Sequence, residues 1–313
     1  MNTEDCFKIR VGSLLPDRPL PFDLFIQLNQ KMVHYLRSGD ELTEKKIEKL
    51  DRADVFFVPL EQRQNYKSFV HSRLNDESIG AEVKAQILRE SSITLVEEIF
   101  ENPDVGSALN ESKGVIDEFV KFVDEAPEGL SHLINLSSHD FYTYNHSLDV
   151  SIYSLGLGMA AGYSGAELHE LGRGAIFHDI GKRLVDVNII CKDGPLDDVE
   201  WAQMQQHPTF GLQILDEYDV SEEIKACCFE HHENFLGNGY PQQLDGDEIH
   251  PMARIVALTD TYDALTTKRS YNKPMLPKDA VEFMTEKLAQ RYDPDLLKAM
   301  NNVLLKMESD LAS

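Results

Sequence analysis

Seven side chains able to bind a metal fall in an ordered series through the second half of the chain: His146, His178-Asp179, His207, His231-His232 and Asp260. Imidazole nitrogens and carboxylate oxygens suit borderline divalent metals such as iron, manganese or zinc. One catalytic zinc usually takes three protein ligands and keeps a position open, so a set of this size predicts two metals. For the donors to meet, the segments that carry them must fold around a single core.

The local patterns around the donors are helical. Over 168–182, Leu171, Ala175, His178, Asp179 and Lys182 recur at helical spacing, which sets the polar pair on or beside an apolar face. Over 221–232, Ile224, Cys227, Cys228 and His231 do the same, with Ser221 as the cap and Glu222-Glu223 in the first turn. Met252, Val256 and Asp260 belong to a third helix, which Pro251 starts. His207 precedes Pro208 and is predicted at a helix junction, since the residue before proline avoids helical geometry. Neighbours on a helix diverge by about 100°, so His178 and Asp179 need not face the same ion. A carboxylate can bridge two ions, and Asp179 takes that role here. Lys182, one turn from His178, adds positive charge. His132, His139, His169 and His250 lack such company and are read as structural or surface residues, and His34 and His71 stand alone.

The fold class predicted is α+β: a small N-terminal α/β module over 1–80 with a regulatory role, connecting helices over 81–125, and an all-α domain over 126–313. Strands are expected at Phe7–Val11, across FDLFIQLN and KMVHYLRS with a turn near Asn29-Gln30, and from Asp54. A short helix capped by Thr43 lies between the last two, and Pro103 separates two long helices.

The chain of 313 residues carries 54 acids against 30 bases, a formal charge of -24, which argues against a nucleic-acid polymer as partner. Placed metals or cations can still reverse the local field for a small anion. Cys6, Cys191, Cys227 and Cys228 show no disulfide spacing and read as reduced thiols. The first residues carry acids where a signal peptide carries bases, and no run approaches the roughly 18 apolar residues of a membrane span. The expectation is a cytoplasmic protein with no membrane contact.

The residues in order, His146, His178-Asp179-Ile180-Gly181-Lys182, His207, His231-His232-Glu233, Gly237-Asn238-Gly239-Tyr240-Pro241 and Asp260 within Asp-Thr-Tyr-Asp-Ala-Leu, resemble the HD-GYP family, a bacterial branch of the HD-domain phosphohydrolases. The resemblance covers residues 126–313, and Arg269-Ser270-Tyr271 and Tyr292-Asp293-Pro294 fit it too. It implies a helical domain with a metal cluster, iron or manganese, that hydrolyses the bacterial second messenger cyclic di-GMP to linear pGpG, and onward to GMP, through a hydroxide held between the ions. It further implies that His146, His178, Asp179 and Asp260 hold one metal while Asp179, His207, His231 and His232 hold the other. Lys182 and Arg269 would contact phosphate, with Lys273 as a second basic contact. The Gly237–Pro241 segment reads as a tight turn, because Gly237 and Gly239 permit positive φ and Pro241 fixes the chain, with Tyr240 at the lip of the pocket. A diguanylate cyclase domain protein is the partner implied for that loop.

Three positions depart from the family pattern. Tyr142 stands where some members have a glutamate for a third metal, which favours two; Leu236 replaces the acid before the glycine of the loop; Asn272 replaces a basic residue, followed by Lys273. The last two changes motivate a different reading, a weakly active or inactive cyclic di-GMP receptor or interaction module. An HD phosphohydrolase of another nucleotide is the same-class alternative.

Overall fold

The computed structural model describes residues 5–14, 16, 18–29, 31–48, 55–101, 104–126, 128–136, 143–267 and 273–311. The predicted strands form a four-stranded antiparallel sheet, β1 (Cys6–Arg10), β2 (Leu24–Leu28), β3 (Lys31–Leu36) and β4 (Val55–Pro59), in the order β1-β4-β2-β3. Burial follows position. Phe56, Phe57 and Val58 of the central β4 are all buried, whereas edge strand β3 exposes Lys31, Val33 and His34. Asn29 turns the β2–β3 hairpin at φ 49°, a left-handed conformation that asparagine tolerates. The first strand stops one residue earlier than its pattern suggests, because Val11 opens a 3-10 turn. Helix α1 (Glu44–Glu48) precedes β4, and α2 (Arg63–Leu74) follows it, packing Tyr66 and Phe69 edge-on to Phe22.

Helices α3 (Ala81–Glu101), α4 (Val105–Glu125) and α5 (Gly129–Asn135) come next. The chain divides into two compact units: residues 1–97 with 122–136, and residues 98–121 with 137–313, so α3 and α4 each contribute to both.

The second unit continues with α6 (Thr143–Ala160), α7 (Ala166–Phe177), a 3-10 turn (Ile180–Leu184), α8 (Val187–Ile190), α9 (Asp198–Met204), α10 (His207–Leu215), α11 (Glu222–Glu230), α12 (Pro251–Thr266), α13 (Pro277–Lys287) and α14 (Pro294–Leu311). Its core is built on α6, α7, α11 and α12, which pack on one another in that order. Leu155, Leu171, Ile176, Ile224, Cys227, Ile255 and Val256 fill it. Within this apolar core Ser154 Oγ and Thr259 Oγ1 hydrogen-bond at 2.8 Å, fixing α6 against α12 without leaving either hydroxyl unpaired.

Two helices end earlier than their patterns predict. The one expected over 168–182 stops at Phe177, and the one expected over 221–232 stops at Glu230. The physical reason for the first is local crowding. A Cβ on Gly181 would lie 1.9 Å from the His207 carbonyl oxygen and 2.4 Å from Gly211 N, so the segment after Asp179 meets the start of α10 backbone to backbone. Only glycine permits that approach. The four cysteines are free thiols, and among the described residues no helix is long and apolar enough to cross a membrane.

Candidate metal centre

Three of the histidines share one local design. His178 follows the last residue of α7, His231 follows the last residue of α11, and His207 lies three residues beyond the end of α9. Carbonyls of a helix's last turn lack intrahelical donors. The imidazoles supply them: His178 Nδ1 donates to Ala175 O at 2.6 Å, His207 Nδ1 to Met204 O at 2.8 Å, and His231 Nδ1 to Cys228 O at 2.9 Å. A carbonyl can only accept, so each Nδ1 carries its hydrogen, and in the neutral ring each Nε2 presents a bare lone pair.

His146, on α6, reaches the same arrangement through a carboxylate. Its Nδ1 lies 2.7 Å from Asp263 Oδ2, and its Nε2 faces Asp260 Oδ1 at 3.2 Å and Asp179 Oδ2 at 3.5 Å. Asp260 and Asp263 are one turn apart on α12, one facing each ring nitrogen. Thr267 Oγ1 donates to Asp263 Oδ1 at 3.1 Å, which steadies the carboxylate.

Asp179 sits among all of these groups. Its Oδ2 faces His146 Nε2 and, at 3.4 Å, His178 Nε2; its Oδ1 faces His207 Nε2 at 3.3 Å and His231 Nε2 at 3.8 Å. The donors accordingly cluster as His146, His178 and Asp260, as His207, His231 and His232, and, between them, as His178, Asp179 and His231, with ligand atoms within 4.8 Å of one another in each group. All seven predicted donors are thus brought together.

This donor set fits divalent cations. His178 Nε2 and Asp179 Oδ1 are buried and make no hydrogen bond, and His207 and His231 point their Nε2 atoms at each other across 3.3 Å. Facing lone pairs repel, and an anionic oxygen beside them adds to the repulsion. Cations between them reverse the sign, and the Nδ1 partners are the outer hydrogen bonds that metal-binding histidines use. Protonation is not the remedy for most of these rings: burial pushes His207 down to about 3 and His232 down to about 4, and holds His231 well below its ordinary value. His146 runs the other way. Burial opposes its charged form, but the carboxylates of Asp179, Asp260 and Asp263 together raise it well above the usual imidazole range.

The remaining predicted site residues divide. Lys182 Nζ is ion-paired to Asp179 Oδ2, while the backbone Lys182 N donates to Asp179 O at 2.9 Å, so the lysine sits in the 3-10 turn against the cluster rather than one α-turn along from His178. Tyr240 stacks on His232, with centroids 4.7 Å apart and planes 29° apart. Lys273 is exposed and, among the described residues, makes no hydrogen bond or ion pair with the cluster. Arg269, Ser270, Tyr271, Asn272, Tyr142 and His139 lie outside the described residues. His250 caps α12, accepting from Met252 N at 3.3 Å.

The loop that carries Tyr240 is tied down by Glu233, a residue quoted in the motif but given no role there. Its buried carboxylate accepts from the backbone of Gln242 at 2.5 Å and of Gln243 and Leu244 at 3.1 Å. Gly237 has the expected positive φ, 70°, but Gly239 is needed for another reason: a Cβ there would lie 2.5 Å from His232 O and from Glu233 Cα. Asp263 was missed altogether. Its signal was the acid one helical turn beyond Asp260 in Asp-Thr-Tyr-Asp, which puts two carboxylates on the same side of a helix.

A profile of the HD-domain family matches residues 128–296, more than half of the chain. The chain belongs to the HD-domain family. Among curated proteins this HD-domain chain is 32% identical over 218 residues to a cyclic di-GMP phosphodiesterase of Pseudomonas aeruginosa, covering 69% of this chain and 52% of that protein. It is 36% identical over 163 residues to 3'3'-cGAMP-specific phosphodiesterase 3 of Vibrio cholerae, covering 52% of this chain and 35% of that one. The chain therefore spans about half the length of the first relative and about a third of the second. Among solved structures, an HDG"Y"P protein from Bdellovibrio bacteriovorus superposes with a TM-score of 0.76 at 22% identity, covering 96% of this chain and 99% of that one. This likeness extends the shared fold beyond the HD domain to the N-terminal sheet.

Proposed function

We propose that this HD domain is a metal-dependent phosphodiesterase that opens cyclic di-GMP to linear pGpG, with GMP as the product of a second cut. The observation that carries the reading is the convergence of seven donors on Asp179, whose two oxygens face different histidines. That geometry supports Asp179 as the bridge between two divalent ions, iron or manganese, one held with His146, His178 and Asp260 and the other with His207, His231 and His232. Bound ions would supply Lewis acidity toward a phosphoryl oxygen and lower the pKa of a water.

The chain's own side chains supply the rest. Asp263 and the three helix-end carbonyls fix the ring orientations in advance, so the Nε2 atoms need no reorganisation. Lys182 holds an ammonium at the Asp179 edge of the cluster, where charge builds on the phosphoryl group, and it neutralises part of the carboxylate charge that would repel a phosphodiester. Tyr240 walls the His232 side. Arg269 is assigned to the phosphate, as guanidinium geometry suits, and Lys273 to an outer contact. The Gly237–Pro241 loop is the surface assigned to a diguanylate cyclase domain protein, and the exposed Leu236 stands at its edge where the family pattern has an acid.

The relatedness to a protein named for 3'3'-cGAMP favours a second substrate of the same class. The test is metal content per chain on anaerobically purified protein, with hydrolysis of cyclic di-GMP and 3'3'-cGAMP followed on the same sample. About two metals per chain with cyclic di-GMP cleavage is expected. Faster cleavage of 3'3'-cGAMP would change the substrate, and tight binding with no product at full metal occupancy would replace the enzyme with a receptor.

A further inference from the structure

The histidine cluster is linked to the protein surface by an aromatic ladder. His232 is stacked by Tyr240, and Tyr240 meets the ring of Trp201 edge-on, with centroids 6.2 Å apart and planes 82° apart. Trp201 is the chain's only tryptophan and remains 47% exposed. An indole half open to water beside Tyr240 has apolar surface left for a ligand to cover.

Its helix is capped. Helix α9 opens with a capping box in which Asp197 Oδ1 accepts from Val199 N and Glu200 N at 2.9 Å and Glu200 Oε2 accepts from Asp197 N at 2.8 Å. Lys192 Nζ binds the same glutamate from the end of α8. These bonds fix the backbone of the turn that leads into Trp201, and none of them uses the indole. Val199, on the same helix, is 68% exposed, so α9 presents two large apolar side chains, Val199 and Trp201, beside its exposed Asp198.

We propose that the Trp201 indole is a stacking platform for one purine base of the substrate, with Tyr240 as the step between that base and the metal cluster. This rests on the phosphodiester reading above. A nucleotide carries its base one sugar away from its phosphorus, so a phosphate at the cluster can send its base outward along the ladder, past Tyr240 toward Trp201. The exposed indole offers a π-face, base–aromatic stacking tolerates any base, and it needs no positive charge. Lys182 and the ions act on the phosphate, and the indole selects for something planar attached to it.

Trp201 also provides the signal for its own test. Indole emission from the metal-loaded protein is titrated with GMP and, separately, with ribose 5-phosphate, which has the sugar and phosphate but no base. Saturable quenching by GMP alone is expected. Trp201→Ala should weaken GMP binding, measured by calorimetry, roughly tenfold, as one base–aromatic stack implies, while metal content and ribose 5-phosphate binding stay as in the wild type; Trp201→Phe should recover most of the loss. Equal quenching by both ligands, no quenching by GMP, or unchanged GMP affinity in Trp201→Ala overturns the platform. Because GMP binding needs no turnover, these outcomes are separate from failure of the hydrolase reading, which appears as intact cyclic di-GMP.

Discussion

His207 and His231 face each other through their Nε2 atoms at 3.3 Å, each with Nδ1 held by a backbone carbonyl. Each of these nitrogens also faces Asp179 Oδ1. The pair is therefore arranged for a shared electrophile rather than for a hydrogen bond with each other, and Asp179 is the group whose removal separates the two halves of the cluster. Asp179→Ala is expected to lower metal content from about two ions per chain to fewer than one and to abolish hydrolysis. Elemental analysis of the purified variant decides it; full metal content would sink the bridging assignment.

Lys182 differs, since it contacts the cluster only through Asp179. Lys182→Met keeps the stem and removes the charge. The variant should retain both metals and lose about 100-fold in turnover, the size of one electrostatic contribution to a phosphoryl transition state. Wild-type turnover in that variant would remove Lys182 from the mechanism.

Asp263 acts through His146. Asp263→Ala should weaken binding of one metal about 10- to 100-fold and leave the other, on the His207 side, in place. Asp263→Asn should be milder, because an amide oxygen still accepts from Nδ1. Competition with a chelator, read as biphasic metal release, measures this directly, and a single-phase release in Asp263→Ala would contradict the division into two halves.

At Gly181 the threat is steric. The added methyl of Gly181→Ala would sit inside the contact radius of the His207 carbonyl and Gly211 N, both backbone and unable to swing away. A loss of about 3 kcal/mol is expected, visible as a lower urea midpoint, with reduced metal content because Asp179 and His207 are displaced together.

That glycine also marks how far the sequence could be read. His178, His231 and Asp260 were identifiable because each follows apolar neighbours at helical spacing, as with Ala175 before His178, Cys227 before His231 and Val256 before Asp260. The place where each helix stops was not legible. It depends on contacts such as Gly181 against α10, between segments that periodicity treats separately, and stopping there turns His178 and His231 into caps for their own last turns. Asp263 and Glu233 escaped for a related reason. Acidic residues near a helix end look alike in sequence whether they meet solvent, an imidazole or three loop amides.

The cluster also sets a pH dependence for the metal-free protein. His207, at about 3, and His232, at about 4, are kept neutral by burial, as is His231, whereas in the unfolded chain each titrates near about 6.5. Below that value the unfolded chain binds more protons than the folded one at these three sites, so their contribution to stability falls with acidification. His146 has the opposite sign: its raised value adds stability at low pH that is lost as pH rises through its folded pKa. Asp179 and Asp260 lie well below the usual carboxylate range, Asp179 through the charge of Lys182 and Asp260 through its bond to His146, although burial opposes both shifts. Their stabilising contribution is present above the unfolded carboxylate pKa and is lost only in stronger acid. Three lowered imidazoles against one raised imidazole leave a net loss, so the urea midpoint of chelator-treated protein should drop between about pH 7 and pH 5, and a flat or rising midpoint would mean that the three rings are not buried neutral. Metal uptake at neutral pH should also release the proton of His146 Nε2, in addition to any lost from water at the ions, and calorimetry in buffers of different ionisation enthalpy reads the total; no release would mean that His146 is not held protonated.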